Sequence, residues 1–383
     1  MRARWEIGSE FDWSELVLLQ STSHELLPNR YELFSTGTAA LLSLSNVIQK
    51  TQTERLRLHV PSFYCMEVVA KLERVFDICW YQDLPTESRP NFSSLNPSSG
   101  DLVLAVNTFG IREAKVWQDW LVQQNDIILI EDHSHDPFSL WAQQSIAHYA
   151  MASLRKTLPI PDGAIIWSPR AMQLPTASSS ESLGAYKRLT AMLLKKAYLS
   201  GINISKDVYR RLDVESQVEL GNETHCAIST FTSTILSHLN IAKFRQQREA
   251  NIRQFIDLIP ATVSGWMPLF TSWSAGAVPF NIIIVCKDRE MRDALRNYSI
   301  EHQIFPAIHW QQPKKQISSN DILAIELSKR ILTIPADQRY TSDDIEQMME
   351  TLLGFSKSPQ ARKLNCVKPT NDSAKNYEIA EDS

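Results

Sequence analysis

Asp126-Ile127-Ile128-Leu129-Ile130-Glu131-Asp132 is followed, 24 residues beyond its last acid, by the lysine of Ala152-Ser153-Leu154-Arg155-Lys156-Thr157-Leu158-Pro159. The first stretch reads as a buried strand: its apolar run is short and unbroken, and it ends in acids. The second sets a lysine in a turn between two β-like stretches, 149–153 and 164–167. Outward from this pair, residues 31–170 alternate helix-like and strand-like segments. Helices are expected over 39–49, 66–74 and 113–124, and strands over 56–60, 76–81, 102–107 and 127–130. Residues 83–100 form a Pro/Ser/Asn-rich loop. This alternation predicts an α/β fold with a mainly parallel central sheet and helices on both faces. Ligands of such sheets sit outside the carboxyl ends of the strands, where the acid and the lysine both lie.

The remainder reads as a smaller C-terminal α+β domain. The pattern is helical from 180 to about 217 and again over 228–256. Strands follow over 280–285 and 330–334, and helices over 289–297 and 342–353. The expected organisation is an N-terminal segment, 1–30, a large domain, 31–220, and a small domain, 221–356. Residues 357–383 are polar and aperiodic, and are expected to form a disordered tail.

The 383 residues suffice for two domains sharing a core, and 43% hydrophobic with 21% charged residues is ordinary for a globular protein. A formal net charge of -4 gives no reason to expect nucleic acid or an anionic membrane as partner. The start, Met1-Arg2-Ala3-Arg4-Trp5-Glu6, lacks the apolar stretch of a secretory signal. No apolar run reaches the roughly 18–20 residues that span a bilayer. The five cysteines, Cys65, Cys79, Cys226, Cys286 and Cys366, have no paired spacing. Reduced thiols and a cytoplasmic location are expected.

Several residues could carry chemistry. Thr36-Gly37-Thr38 opens a helix, where free N–H groups, the helix dipole and a hydroxyl favour an anion such as phosphate; a turn that merely caps the helix is the plainer alternative. Asp132, at a strand end, is placed to keep a pyridine nitrogen protonated. Lys156 is placed to form a Schiff base with an aldehyde, while Ser153, three residues earlier, binds a phosphate. These parts together make a natural site for pyridoxal 5'-phosphate (PLP). Tyr64, in Pro61-Ser62-Phe63-Tyr64-Cys65 after a strand, could stack on the ring; Phe63 reads as core. His133 and His135 invite a metal reading, but no third ligand stands at useful spacing. His135 reads better as a partner of the cofactor's phenolic oxygen. His309-Trp310 could reach the cleft from the small domain. Arg155 either assists anion binding or points to water, and water is the expectation.

The order and spacing of these pieces resemble the fold-type I PLP enzymes, in particular the DegT/DnrJ/EryC1/StrS sugar aminotransferases. The resemblance rests on Ser35-Thr36-Gly37-Thr38-Ala39-Ala40-Leu41, Val60-Pro61-Ser62-Phe63-Tyr64, Leu129-Ile130-Glu131-Asp132 and Ser153-Leu154-Arg155-Lys156 leading to Asp162-Gly163. It continues in Ile308-His309-Trp310 and in Leu332-Thr333-Ile334-Pro335-Ala336-Asp337-Gln338-Arg339-Tyr340. It implies the aspartate aminotransferase-like fold, with Lys156 binding PLP and moving protons and Asp132 on the ring nitrogen. By the same resemblance, His135 would stand where the family has a glutamine. Gly37, Thr38 and Ser153 would hold the phosphate. The implied substrates are an amino-acid donor and a keto acceptor, a keto-sugar by family habit, and the implied assembly is a homodimer with sites at the subunit interface.

The chain departs from the family where a Gly-Tyr-Asn-Tyr-Arg-Met-like segment should complete the neighbouring subunit's site. The corresponding stretch is Thr224-His225-Cys226-Ala227-Ile228, with His225 and Ala227 at the asparagine and arginine positions. Elimination, decarboxylation or racemisation on the same cofactor, or a non-catalytic binding role, are the alternatives.

Overall fold

The computed structural model describes residues 4–15, 18, 26–49, 55–358 and 361. In chain order the elements begin with β1 (Ile7–Gly8), β2 (Tyr31–Phe34), α1 (Gly37–Gln49), β3 (Arg57–Pro61), α2 (Met66–Leu72) and β4 (Asp77–Tyr81). Then come β5 (Leu102–Val106), α3 (Ala114–Val122), β6 (Ile128–Asp132), α4 (Leu140–Gln143), β7 (Tyr149–Ser153) and β8 (Ala164–Trp167). The middle of the chain forms β9 (Ser178–Glu181), α5 (Leu183–Leu199), α6 (Lys206–Asn222), β10 (Cys226–Ala227), α7 (Thr230–Ile235) and α8 (Ile241–Asp257). Last are β11 (Trp266–Pro268), β12 (Ile282–Cys286), α9 (Arg289–Glu301), β13 (Ile304–Phe305), α10 (Ile322–Arg330), β14 (Ile331–Ile334) and α11 (Ser342–Gly354).

Nine strands make one sheet in the order β4-β3-β5-β6-β7-β8-β2-β10-β9. From β4 to β7 every pairing is parallel, so the expected α/β architecture is present. The strands β3, β5, β6 and β7 are buried along nearly their whole length, as a sheet covered on both faces requires. Register sets Val106 beside Asp132 and Asp132 beside Met151. The strand ends at Pro61, Val106, Asp132 and Ser153 therefore fall on one edge of the sheet. A second, antiparallel sheet, β11-β12-β14, carries its own core of Ile282, Ile284, Leu332 and Ile334 under α8, α9 and α11. The chain's start joins this region: β1 pairs with β13, and the buried Lys195 of α5 binds Glu6 and the carbonyls of Gly8 and Glu10.

Some expectations need correction. The stretch 228–256 is not one helix. Ser229 caps α7, a 3-10 turn over Leu236–His238 buries Leu236, and Asn240 caps α8 by accepting from the Lys243 N–H at 3.1 Å. The helical pattern from 180 also begins late, because Ser178–Glu181 is a strand and Ser182 caps α5. Strand β6 runs through Glu131 to Asp132 instead of stopping at Ile130. The helix α10 was not anticipated. Of the expected tail, all but residues 357, 358 and 361 lie outside the described residues. Among the described residues, no helix is long and apolar enough to cross a membrane.

Candidate active site

A cavity of about 480 Å³ opens at the carboxyl edge of the parallel strands. Lys156, Asp132, Tyr64, Ser153, Thr36, Gly37 and Thr38 all line it. They arrive from four strand ends, those of β2, β3, β6 and β7, so the topology brings together residues up to 120 positions apart, from Thr36 to Lys156.

Asp132 is buried and held on both oxygens. The Tyr64 hydroxyl donates to Oδ2 at 2.7 Å, and the Ser134 N–H donates to Oδ1 at 2.8 Å. The Ser134 hydroxyl in turn accepts from the Ser153 N–H at 2.9 Å, which ties the acid's strand to the lysine's. Burial, with Asp132 beside it, pushes the Tyr64 hydroxyl well above the usual tyrosine range, so Tyr64 remains a donor.

The Lys156 turn, a 3-10 turn over Leu154–Lys156, hangs from one carbonyl. Gly163 O accepts from the Leu154 N–H at 3.0 Å, while the Gly163 N–H donates to Ser35 O at 2.8 Å. Gly163 adopts φ +124°, which L side chains rarely do. Its neighbour Asp162 is buried and accepts from Ser229 and Thr232. At the start of α1, Thr36 Oγ1 accepts from the Ala39 N–H at 3.1 Å. The first N–H groups of this helix have no intrahelical acceptor, and Thr36, Gly37 and Thr38 line the cavity. A Cβ on Gly37 would meet the mobile tip of Met151, Cε, at 2.7 Å and Ser153 Cβ at 3.5 Å, so this turn lies close against the end of β7.

His135 does not line the main cavity. It lines a void of about 10 Å³ beside it, shared with Asp132, Tyr64, Lys156 and Trp310. Its Nδ1 accepts from the Phe109 N–H at 2.8 Å, so the neutral ring carries its proton on Nε2. Burial, and then the charge of Lys156, hold the imidazole well below its ordinary value and keep it neutral. Nε2 is buried and has no partner. Asn107, in the same void, repeats the pattern. Its Oδ1 accepts from the Arg112 N–H at 3.1 Å, which fixes the amide orientation, and its Nδ2 is buried without a partner. Two oriented donors thus flank a space of about one oxygen atom. Sequence reading missed Asn107, whose position at a strand end carried no signal of an unused amide.

Trp310, from the loop after β13, covers the site. It lies over His135 (centroids 5.2 Å apart, 13° between planes), and Lys156 Nζ stands 5.7 Å from its centroid. His309 stays behind it: Nδ1 lies 2.9 Å from Thr333 Oγ1, and the residue lines neither space. His225 is also outside, its Nδ1 2.8 Å from Ser43 Oγ on α1. His133 packs against Trp141 and Trp167 and binds Glu131, whereas His135 packs against Phe280 and Trp310, so the two imidazoles do not converge. Arg155 is the clear correction. It does not point to water; it lines the cavity, and burial followed by the charge of Arg188 lowers it to about 10.

The residues fit PLP. The cavity supplies an amine at Lys156, an oriented acid at Asp132, a glycine cradle with free N–H groups, and two unused buried donors for a ring oxygen. That donor set matches an anionic aromatic cofactor bearing an aldehyde, a phosphate and a ring hydroxyl.

The buried neutral histidines have a consequence for stability. Folded values below the ordinary 6.5, about 4 for His148 and about 3 for His309, with His135 also depressed, mean that the folded chain binds fewer protons than the unfolded one. Their contribution is fully present above 6.5 and is lost as pH falls through the folded values. The denaturant midpoint should decline from about pH 7 to about pH 5; a flat profile would contradict this assignment.

No family model matches the chain, and no curated protein matches it. Solved structures do. Helicobacter pylori PseC, described as an aminotransferase involved in the biosynthesis of pseudoaminic acid, aligns over 92% of this chain and 100% of its own, with 12% identity and a TM-score of 0.60. The E. coli GDP-4-keto-6-deoxy-D-mannose-3-dehydratase, solved with hydrated PLP, aligns over 91% and 100%, with 12% identity and a TM-score of 0.57. The aminotransferase TlmJ from Streptoalloteichus hindustanus aligns over 85% and 86%, with 13% identity and a TM-score of 0.55. The chain shares the fold of these enzymes.

Proposed function

We propose that this chain is a PLP-dependent aminotransferase of the DegT/DnrJ/EryC1/StrS type. It would transfer an amino group from an amino-acid donor to a keto-sugar, nucleotide-linked by family habit, in polysaccharide or secondary-metabolite biosynthesis. The observation that carries this reading is the convergence of Lys156 and an oriented Asp132 on one cavity. When bound, PLP supplies an electron sink for negative charge at the substrate carbon. Asp132 would hold a proton at the ring nitrogen, and Tyr64 and Ser134 keep that carboxylate in place. Thr36, Gly37, Thr38 and Ser153 would hold the phosphate. His135 and Asn107 would donate to the ring oxygen. Lys156 would bind the aldehyde carbon with loss of water, be displaced by the substrate's amino group, and then take and return a proton at the substrate carbon. Trp310 shields the lysine from water.

The test is spectroscopic. Purified protein should carry a near-visible absorption band, and glutamate added without acceptor should bleach it while releasing one 2-oxo acid per site. Protein with no bound cofactor would refute the reading. Elimination is the second reading, favoured by the E. coli neighbour, which is described as a dehydratase. A bound cofactor that never yields 2-oxo acid would support it.

A cytoplasmic homodimer fits the same reading. Cys65, Cys79, Cys226 and Cys286 are free thiols. Val214 and Val218 on α6 are 61% and 60% exposed, yet both line the Lys156 cavity. A second copy seated on α6 would bury them and wall the site. Val214→Glu with Val218→Glu should convert a dimer into monomers in sedimentation experiments; a doubly substituted protein that stays dimeric places the interface elsewhere.

A further inference from the structure

We propose that Arg155, Lys71 and Lys315, which line the main cavity but not the small void beside Asp132, form a phosphate-binding site within a single chain. The three cations arrive from three elements: the turn after β7, helix α2, and the loop after β13. Two carboxylates share the cavity lining, and both are engaged, Asp132 by Tyr64 and Ser134 and Glu67 by Lys314 at 2.8 Å. The carboxylates that act on Arg155 from a distance are each held by another group. Asp213 pairs with Arg188, Asp162 accepts from Ser229 and Thr232, and Glu223 accepts from Ser182 on one oxygen while its Oε2 is buried without a partner. The Arg155 guanidinium is left without a hydrogen-bond or ion-pair partner among the described residues, and its Nε is fully buried. Lys71 spends one donor on Gly221 O and feels the charges of Lys315 and Arg155.

Holding like charges together at a cavity wall is unfavourable unless a multiply charged anion joins them. A lone carboxylate would be satisfied by one arginine; three cations on separate elements suit a phosphate or diphosphate. The site's occupant is the acceptor's phosphate or the cofactor's own, and only that choice rests on the proposed function.

The experiment is calorimetric titration of the cofactor-loaded protein with inorganic pyrophosphate, wild type against Arg155→Gln and the exposed Lys315→Gln, with cofactor affinity measured in parallel. Pyrophosphate affinity should fall at least about tenfold in Arg155→Gln and about two- to fivefold in Lys315→Gln. That result assigns the site to the acceptor. Unchanged pyrophosphate binding with cofactor affinity about tenfold weaker assigns it to the cofactor's phosphate. Both affinities unchanged in both variants overturns the proposal. Should the protein carry no PLP, the titration runs on the protein as isolated. Loss of pyrophosphate binding in Arg155→Gln then keeps this site while the proposed reaction falls.

Discussion

Lys156→Ala is expected to remove the near-visible absorption band and lower turnover by about 10³-fold or more. On the proposed function the amine has two tasks, covalent attachment and proton movement, and among the described residues no second lysine shares its position. Lys71 and Lys315 line the same cavity, but Lys71 is bonded to Gly221 O, and neither lines the small void that Lys156 shares with Asp132 and His135. Folding should be nearly unaffected. Lys156 is half-buried, and among the described residues its Nζ makes no hydrogen bond or ion pair, standing 5.7 Å from the Trp310 centroid, so the thermal midpoint should correspond to a change within about 0.5 kcal/mol. Single-turnover kinetics with a saturating amino donor, beside a thermal melt, measure both effects. A variant that keeps its rate within tenfold of wild type would remove Lys156 from the mechanism.

Asp132→Ala carries the second large effect, and it splits into two measurable parts. Loss of the charge that holds the ring proton should lower turnover by about 10²–10³-fold. Loss of the acceptor leaves the Tyr64 hydroxyl and the Ser134 N–H, now bonded at 2.7 and 2.8 Å, buried without partners. That orphaning costs about 1–3 kcal/mol of stability for each group. Asp132→Asn separates the parts: one oxygen still accepts, so most of the stability returns, while the catalytic loss persists because the amide carries no charge. If Asp132→Asn were to recover both activity and stability, the carboxylate would be a structural acceptor rather than the partner of a ring nitrogen.

How far the sequence led depends on what each residue's role required. Lys156 and Asp132 were legible because an apolar run of strand length ends at the acid, and parallel topology sends every such end to one edge. Gly37 was legible for a similar local reason, since a glycine between threonines before an apolar period marks a helix start. Arg155 was not. A 3-10 turn rotates successive side chains by a third of a circle, and the hang of that turn from Gly163 decides which of Arg155 and Lys156 meets the cavity; both do. Asn107 was hidden because its function is a remainder, the amide hydrogens left after Arg112 fixes the other end. The break in the 228–256 helix was hidden because Leu236, Leu239 and Ile241 keep an apolar spacing across it, and only the Asn240 cap marks the new start. His225 and His309 failed as cavity residues in one chain for another reason: each already has a nearby hydroxyl, on Ser43 and Thr333.

Gly163 joins two things usually treated separately. Its carbonyl carries the turn that bears the reactive amine, and its N–H grips Ser35, next to the loop that opens α1. Tightening either end therefore stiffens the other, so an anion arriving at residues 36–38 prepays part of the ordering of Lys156, and by reciprocity a chemically engaged lysine raises anion affinity. Loading would then be cooperative inside one subunit, with a single residue as the mechanical link.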